Sequence, residues 1–485
     1  MLPLFSVAQE KKYLIYFTDK NNSTYSIDAP HEFLSARAIE RRTKQNIAIT
    51  ESDLPVSKKY IDSIKNKGAN VLYTSRWFNA ALIETTPDNI SNILALDFVK
   101  SSDNLLKKSN PRALNEIEET EEIAGINENY GNSYNQVSML GADMLHAKGY
   151  KGEGMLIAVI DAGFQNVNLL SAFDSLFANG QIKATYDFVS MEENVYDNHN
   201  HGTNVLSAIA GYLDDELIGT AYKADFLLLR TENVTYEYEV EEVYWLLAAE
   251  YADSAGADII NSSLGYSTFD DSDMDHSYDD MDGNTTIITR AADRAAAAGI
   301  LVVTSAGNEG NTSWNYIVAP ADGDSVLAVG AVDANKYYAS LSSKGPSSDG
   351  RIKPDVAAQG SAVVVATHYG GISTSSGTSF AAPLMAGFAA LLWQANPELT
   401  NMELMEMIKK LGSNYTTPDN FIGYGIPKYI DPQVAGKTNA SYTFFPNPFI
   451  GEMLGFYVRP EYQNIPVTVK VYDTTGKQVL DEYLA

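Results

Sequence analysis

Met155-Leu156-Ile157-Ala158-Val159-Ile160-Asp161-Ala162-Gly163 is an unbroken apolar run closed by a carboxylate and a glycine. Apolar residues without alternation suit a strand buried on both faces, the condition of a parallel sheet covered by helices. The chain repeats the pattern at residues 226–229, 258–260, 301–304 and 326–329. Helical stretches at 240–255 and 287–298 separate several of these runs, the second closed by Gly299. Strands alternating with helices predict a doubly wound α/β domain with a mostly parallel sheet. Open sheets of this kind place ligands beyond the carboxyl ends of their strands, where Asp161 stands.

Two further segments put a reactive side chain beside glycine. Asn200-His201-Gly202-Thr203-Asn204 leads into an apolar helical stretch. In Ser376-Gly377-Thr378-Ser379-Phe380-Ala381-Ala382-Pro383 a hydroxyl sits on a turn that opens a helix, with proline expected in the first turn. Taken singly, an aspartate ending a strand, a histidine before glycine and a serine in a loop all have ordinary turn and cap explanations. Together they form a set, because a serine nucleophile needs a base within hydrogen-bond reach and the base needs an orienting carboxylate. The order Asp, His, Ser along the chain is that of subtilisin, not of chymotrypsin or the α/β-hydrolases. The three residues stand 40 and 178 positions apart.

On these motifs, residues 134–432 resemble the subtilase family of serine proteases. The resemblance implies Asp161, His201 and Ser379 as the catalytic triad of a peptidase acting through an acyl-enzyme on protein or peptide substrates. Val303-Thr304-Ser305-Ala306-Gly307-Asn308-Glu309-Gly310 looks like the block that carries the family's oxyanion asparagine, here Asn308, with Ala306 and Gly307 at the substrate. Asn261-Ser262-Ser263-Leu264-Gly265 looks like the edge that binds substrate backbone, with Ser263, Leu264 and Gly265 walling the primary pocket. Acyl transfer develops negative charge on a carbonyl oxygen, which a side-chain amide and the Ser379 N–H would stabilise. Two positions depart from the pattern: Ala162 where the family usually has Ser or Thr, and Asn204 where it often has a second His. Neither change removes a reacting group; Ala162 and the acidic loop at 269–284 suggest an inactive adhesin or scaffold on the same fold as an alternative. A serine esterase of another class would place Ser in Gly-x-Ser-x-Gly, whereas Ser379 lies in Gly377-Thr378-Ser379-Phe380-Ala381. His31, His146, His199, His276 and His368 match no motif, and surface or packing roles are expected for them.

The rest of the chain frames this domain. Residues 10–112 read as a small α+β unit with strands at 13–17, 71–73 and 80–85, helices at 33–43 and 56–67, a further helix after Pro87-Asp88 and a last strand near Phe98. It resembles the family's inhibitory prodomains, which implies a ferredoxin-like fold, a proenzyme and a partner in cis. Residues 10–112 hold 16 basic against 12 acidic side chains, a net +4, and the remainder holds 18 against 50, a net −32. Opposite charge suits docking between the two parts. A net charge of −28 argues against nucleic acid and anionic lipid as partners, and the absence of cysteine excludes disulfides and thiolate metal sites. Residues 1–9 suit the end of a signal peptide, which points to a secreted or cell-surface protein. Residues 113–133 form an acidic linker. The uncharged stretch 372–397 reads as a buried loop and helix, with no transmembrane segment, because Ser, Thr, Gly and Pro383 interrupt it. Residues 442–485 include a hairpin and resemble part of the C-terminal β-sandwich sorting module of type IX secretion, which implies that machinery as a partner. Residues 269–284 crowd seven aspartates into one loop, a composition that suits structural Ca²⁺, with Asp280, Asp282 and Asn284 as candidate ligands. The competing expectation is a solvated acidic loop.

Overall fold

The computed structural model describes residues 10–105 and 130–430, together with the backbone of four strands beyond residue 441. The expected leader, most of the acidic linker and the C-terminal side chains lie outside the described residues.

The N-terminal unit contains β1 (Lys11–Phe17), α1 (Ala36–Lys44), α2 (Lys58–Asn66), β2 (Asn70–Ser75), β3 (Ala80–Thr85), α3 (Ile90–Leu94) and β4 (Val99–Asn104). Its antiparallel sheet has the order β2-β3-β1-β4. Helix α1 begins three residues later than the hydrophobic pattern suggests, because the Ser35 side chain accepts the Ala38 N–H at 3.1 Å and caps it there. Period-two alternation along β1 divides its side chains between two cores. Tyr13, Ile15 and Phe17 pack with Tyr60, Ile64 and Ile83 inside the unit. Leu14 joins a second core that continues into the large domain.

The large domain is built on a seven-stranded parallel sheet. Its elements are α4 (Tyr134–Leu140), α5 (Ala142–Ala147), β5 (Leu156–Asp161), α6 (Asp174–Ala178), β6 (Ile182–Asp187), α7 (His201–Ala210), a short hairpin β7 (Tyr212–Leu213) and β8 (Leu217–Ile218), β9 (Asp225–Arg230), α8 (Val240–Ala255), β10 (Ile259–Ser262), α9 (Ile287–Ala297), β11 (Leu301–Ser305), β12 (Leu327–Val332), β13 (Val356–Gln359), a hairpin β14 (Val363–Ala366) and β15 (Ile372–Ser375), α10 (Thr378–Ala395) and α11 (Asn401–Lys410). The order β13-β12-β11-β10-β5-β9-β6 puts β5 in the interior, with every residue from Leu156 to Asp161 buried. Two edge strands, β6 and β13, escape the sequence reading. The first carries Lys183 and Thr185 on a half-exposed strand, and the second is a four-residue run directly after Pro354-Asp355. Chain connections leave β5 toward opposite sides of the sheet, which opens a crevice at the carboxyl ends of β5 and β10.

Helix α10 packs on β10, β11, β12 and β13. It is the one helix among the described residues long and apolar enough to span a membrane, yet it is 89% buried inside the domain. Pro383 lies within α10, beyond the first turn where it is expected. Proline has no N–H to give the carbonyl four residues back, which is that of Ser379. The Ser263 hydroxyl supplies the missing donor at 2.8 Å.

The N-terminal sheet and α1 lie on α8. Gly256, which ends α8 with φ +91°, leaves no room for a Cβ, since the backbone N of Ala38 and the Arg37 side chain would lie 2.8 Å from it. Beyond residue 441, Tyr442–Phe445 pairs with Gly455–Val458 and Val467–Tyr472 with Gln478–Leu484, each pair antiparallel. The second pair is the expected hairpin.

Candidate active site

Asp161 ends β5, flanked by β9 and β10, and is fully buried. Its Oδ1 accepts the Ala162 N–H at 2.7 Å and lies 2.7 Å from Nδ1 of His201. Among the described residues no donor reaches Oδ2, and Ala162 has no hydroxyl to offer it. His201 opens α7, and the next residue makes the approach possible: a Cβ on Gly202 would stand 2.4 Å from the Gly163 carbonyl and 3.0 Å from Asp161 Cβ. The backbone N–H of His201 donates to Nδ1 of His199 at 3.3 Å. His199 lines the cleft beside His201, so its place is at the site and not in remote packing.

Ser379 is the second residue of α10 and nearly buried. Its hydroxyl donates to the Ser263 carbonyl at 3.2 Å, while the Ser263 hydroxyl donates back to the Ser379 carbonyl. Asn308 follows β11. Its amide oxygen accepts both the N–H of Thr378, at 2.9 Å, and the Thr378 hydroxyl, at 3.0 Å. Only an oxygen can accept from a backbone N–H, so the amide orientation is set and its NH₂ is left for the cleft. Thr378 therefore orients Asn308, a role the sequence reading did not assign.

These side chains border one cleft of about 680 Å³ whose wall includes His201, Ser379, Asn308, Ser263, Leu264 and Gly265. Gly307 also lines it, whereas Ala306 is fully buried behind, its carbonyl accepting the Val318 N–H at 3.2 Å. The candidate calcium ligands make hydrogen bonds within their own loop. Asp280 caps Ser277, accepting its N–H and its hydroxyl at 2.7 Å each, and Asp282 accepts the N–H groups of Asn284 and Thr285 at 2.7 and 2.9 Å. Asn284 is exposed, its side-chain amide turned back to the Asp282 carbonyl.

Three other carboxylates do gather, with ligand oxygens within 4.8 Å of one another: Glu232, Glu237 and Glu241. Glu232 and Glu237 line the cleft. Burial, with Asp161 adding repulsion, pushes Glu232 up to about 7 against the hydroxyls of Tyr266 and Thr231 and the charge of Arg230. Burial likewise holds Glu241 well above the usual carboxylate range. The sequence signal for Glu232 was available, because it follows the apolar run of β9 as Asp161 follows that of β5.

Comparison with known proteins bears on this geometry. Residues 152–425, more than half of the chain, match the subtilase family, and residues 12–122 match the peptidase S8 propeptide domain of Bacteroidota. The chain is 30% identical over 324 residues to subtilisin E of Bacillus subtilis (strain 168), covering 65% of this chain and 76% of that protein. It is 32% identical over 285 residues to subtilisin DY of Bacillus licheniformis, covering 57% and 90%. The serine protease AprX of Bacillus subtilis (strain 168) is 30% identical over 307 residues, covering 56% and 65%.

Proposed function

The chain belongs to the subtilase family and carries an N-terminal S8 propeptide domain, and from that premise we propose that it is a secreted serine endopeptidase made as a proenzyme, with Asp161, His201 and Ser379 as its triad. The observation that carries the reading is the 2.7 Å contact between Asp161 Oδ1 and His201 Nδ1 at the edge of the cleft that Ser379 lines. Asp161 holds Nδ1–H, which leaves the other ring nitrogen to act as base. On substrate binding the Ser379 hydroxyl leaves the Ser263 carbonyl, gives its proton to His201 and attacks the peptide carbonyl. The Asn308 amide NH₂ and the Ser379 N–H hold the developing oxyanion. His201 then protonates the leaving amine, the C–N bond breaks, and water repeats the sequence on the acyl-enzyme. Export through type IX machinery by way of the C-terminal region belongs to the same proposal.

The scaffold alternative draws on one feature, the Asp161 Oδ2 that no described donor reaches. A fluorophosphonate distinguishes the readings. The endopeptidase incorporates the label at Ser379, cleaves a denatured protein and removes its own N-terminal domain by cutting between about Leu105 and Tyr134. Ser379→Ala does none of these and stays full length. Label-free wild-type protein, or digestion undiminished in Ser379→Ala, would refute the assignment.

A further inference from the structure

Four carboxylates line the cleft: Glu232, Glu237, Asp270 and Glu309. By the family resemblance, its primary pocket is walled by the uncharged residues Ser263, Leu264, Gly265 and Gly307. The segment after β9 contributes Glu232 and Glu237, and no Lys or Arg lines the cleft among the described residues. This segment is tied to the chain that follows Gly265: the Tyr266 hydroxyl donates to Glu232, and the Asp270 N–H donates to the Glu237 carbonyl at 3.0 Å. The carboxylates therefore accompany the substrate-binding edge. Glu241 has a separate task, since its two oxygens accept the N–H groups of Asn233 and Tyr238 at 2.6 and 2.9 Å and so shape the loop that presents the other two. Tyr236 lines the same wall. A carboxylate pair beside an aromatic ring matches a cation on a long aliphatic stem.

The chain itself supplies an independent pointer to that ligand. Leu105, the last described residue of the N-terminal unit, donates its N–H to the Lys12 carbonyl at 3.1 Å. Lys12 Nζ in turn donates to the Tyr244 hydroxyl at 2.6 Å, three residues along α8 from Glu241. The sequence continues from there as Leu106-Lys107-Lys108. Two lysines thus follow Leu105 closely in the chain.

We infer that Glu232 and Glu237 make this cleft selective for substrates with a Lys or Arg side chain at the second or fourth residue before the scissile bond. The inference rests on the peptidase reading above. Side chains of an extended peptide alternate, so those two positions face one way and the residue in the primary pocket faces the other. Glu232, facing Asp161, Arg230, Tyr266 and the two neighbouring glutamates, is partly protonated near neutrality. Selectivity therefore strengthens as pH rises and that proton is lost.

The test uses fluorogenic peptides identical except for Lys, Gln or norleucine at the second or fourth position, cleaved by wild-type enzyme whose active sites are counted by fluorophosphonate. Lysine at one of these positions is expected to raise kcat/KM by about tenfold, with the ratio growing from about pH 6 to about pH 8. Glu237→Gln shrinks the ratio, and Glu237→Lys inverts it in favour of Glu-containing peptides. Equal rates for all three peptides with labelled, active enzyme would overturn the inference and leave the peptidase reading intact. Absence of labelling and of all cleavage would instead remove that reading. Calcium that raises the melting temperature of Ser379→Ala protein but not of its Glu237→Gln derivative would assign the carboxylates to a metal ion and overturn the inference.

Discussion

Ser379 and Ser263 exchange two hydrogen bonds, hydroxyl to carbonyl in each direction, at 3.2 and 2.8 Å. One is structural, satisfying the carbonyl that Pro383 cannot, and the other holds the hydroxyl that the proposed mechanism makes the nucleophile. Asn308 is set differently, by a backbone N–H and a hydroxyl that both arrive from Thr378. Because that orientation exists before substrate binds, the amide costs no reorganisation as charge develops. Asn308→Ala is expected to lower kcat by about 10²–10³, the loss found on removing subtilisin's own oxyanion asparagine, with little change in KM. Steady-state kinetics on one peptide checks this, and an effect confined to KM would make Asn308 a binding residue.

The acidic loop after the substrate-binding edge shows what an element can do with charge. Its aspartates cap their own turns, and His276 anchors it to α8, with Nε2 2.6 Å from Glu242 Oε1. The other Glu242 oxygen accepts the Ile288 N–H at 2.9 Å, which ties in α9. Burial opposes a charge on His276, but Glu242, helped by Glu239 and Asp280, outweighs it and raises the imidazole above its ordinary pKa. A group whose pKa is raised by folding contributes stability that is complete below its unfolded value, about 6.5, and lost as pH climbs through the folded value. Denaturant unfolding of full-length Ser379→Ala protein should therefore show stability that declines as pH rises above about 6.5. His276→Gln should flatten that decline. An unchanged slope would show that the pair does not control the loop.

At the scale of the molecule, the two domains meet through buried charge. Asp253 on α8 is fully buried and takes guanidinium groups from Arg41, Arg42 and Arg76 of the N-terminal unit, that of Arg42 at 2.7 Å. One turn earlier, the Glu250 carboxylate accepts the N–H groups of Arg76 and Trp77 at 3.0 and 3.2 Å. The opposite net charges of the two parts thus reduce, at contact, to a few desolvated pairs with specific geometry. Removing one partner of a buried pair leaves the others unpaired, which costs about 3–5 kcal/mol. In Ser379→Ala protein nicked in the linker by an added protease, the N-terminal domain should stay bound. Asp253→Ala should weaken that association by about 10²–10³-fold, read by analytical gel filtration over a dilution series. Undiminished co-elution would show that apolar packing around Leu14 and Trp77 carries the interface alone.

Residues 155–163 announced both a buried strand and a carboxylate at its end, because a strand covered on both faces must be apolar throughout and a charge can only follow it. The same logic exposed the interior strands, the helices between them and the reactive residues beside glycine. It failed at β6, whose edge position permits Lys183 and Thr185, and at β13, too short for a pattern. It also placed Pro383 in a first turn, since nothing local reveals that Ser263, 120 residues earlier, supplies the donor proline lacks. The caps within the acidic loop could not be read from composition, which does not say which oxygens accept N–H groups. Glu232 and Glu237 drew no attention because their neighbours in the cleft come from distant strands. Local sequence thus determined the elements and the candidates for the reacting groups, for periodicity and turn chemistry act between neighbours. Only the tertiary structure decided which charges are buried, paired or turned to the substrate, because desolvation and partnership depend on what the whole chain packs around each group.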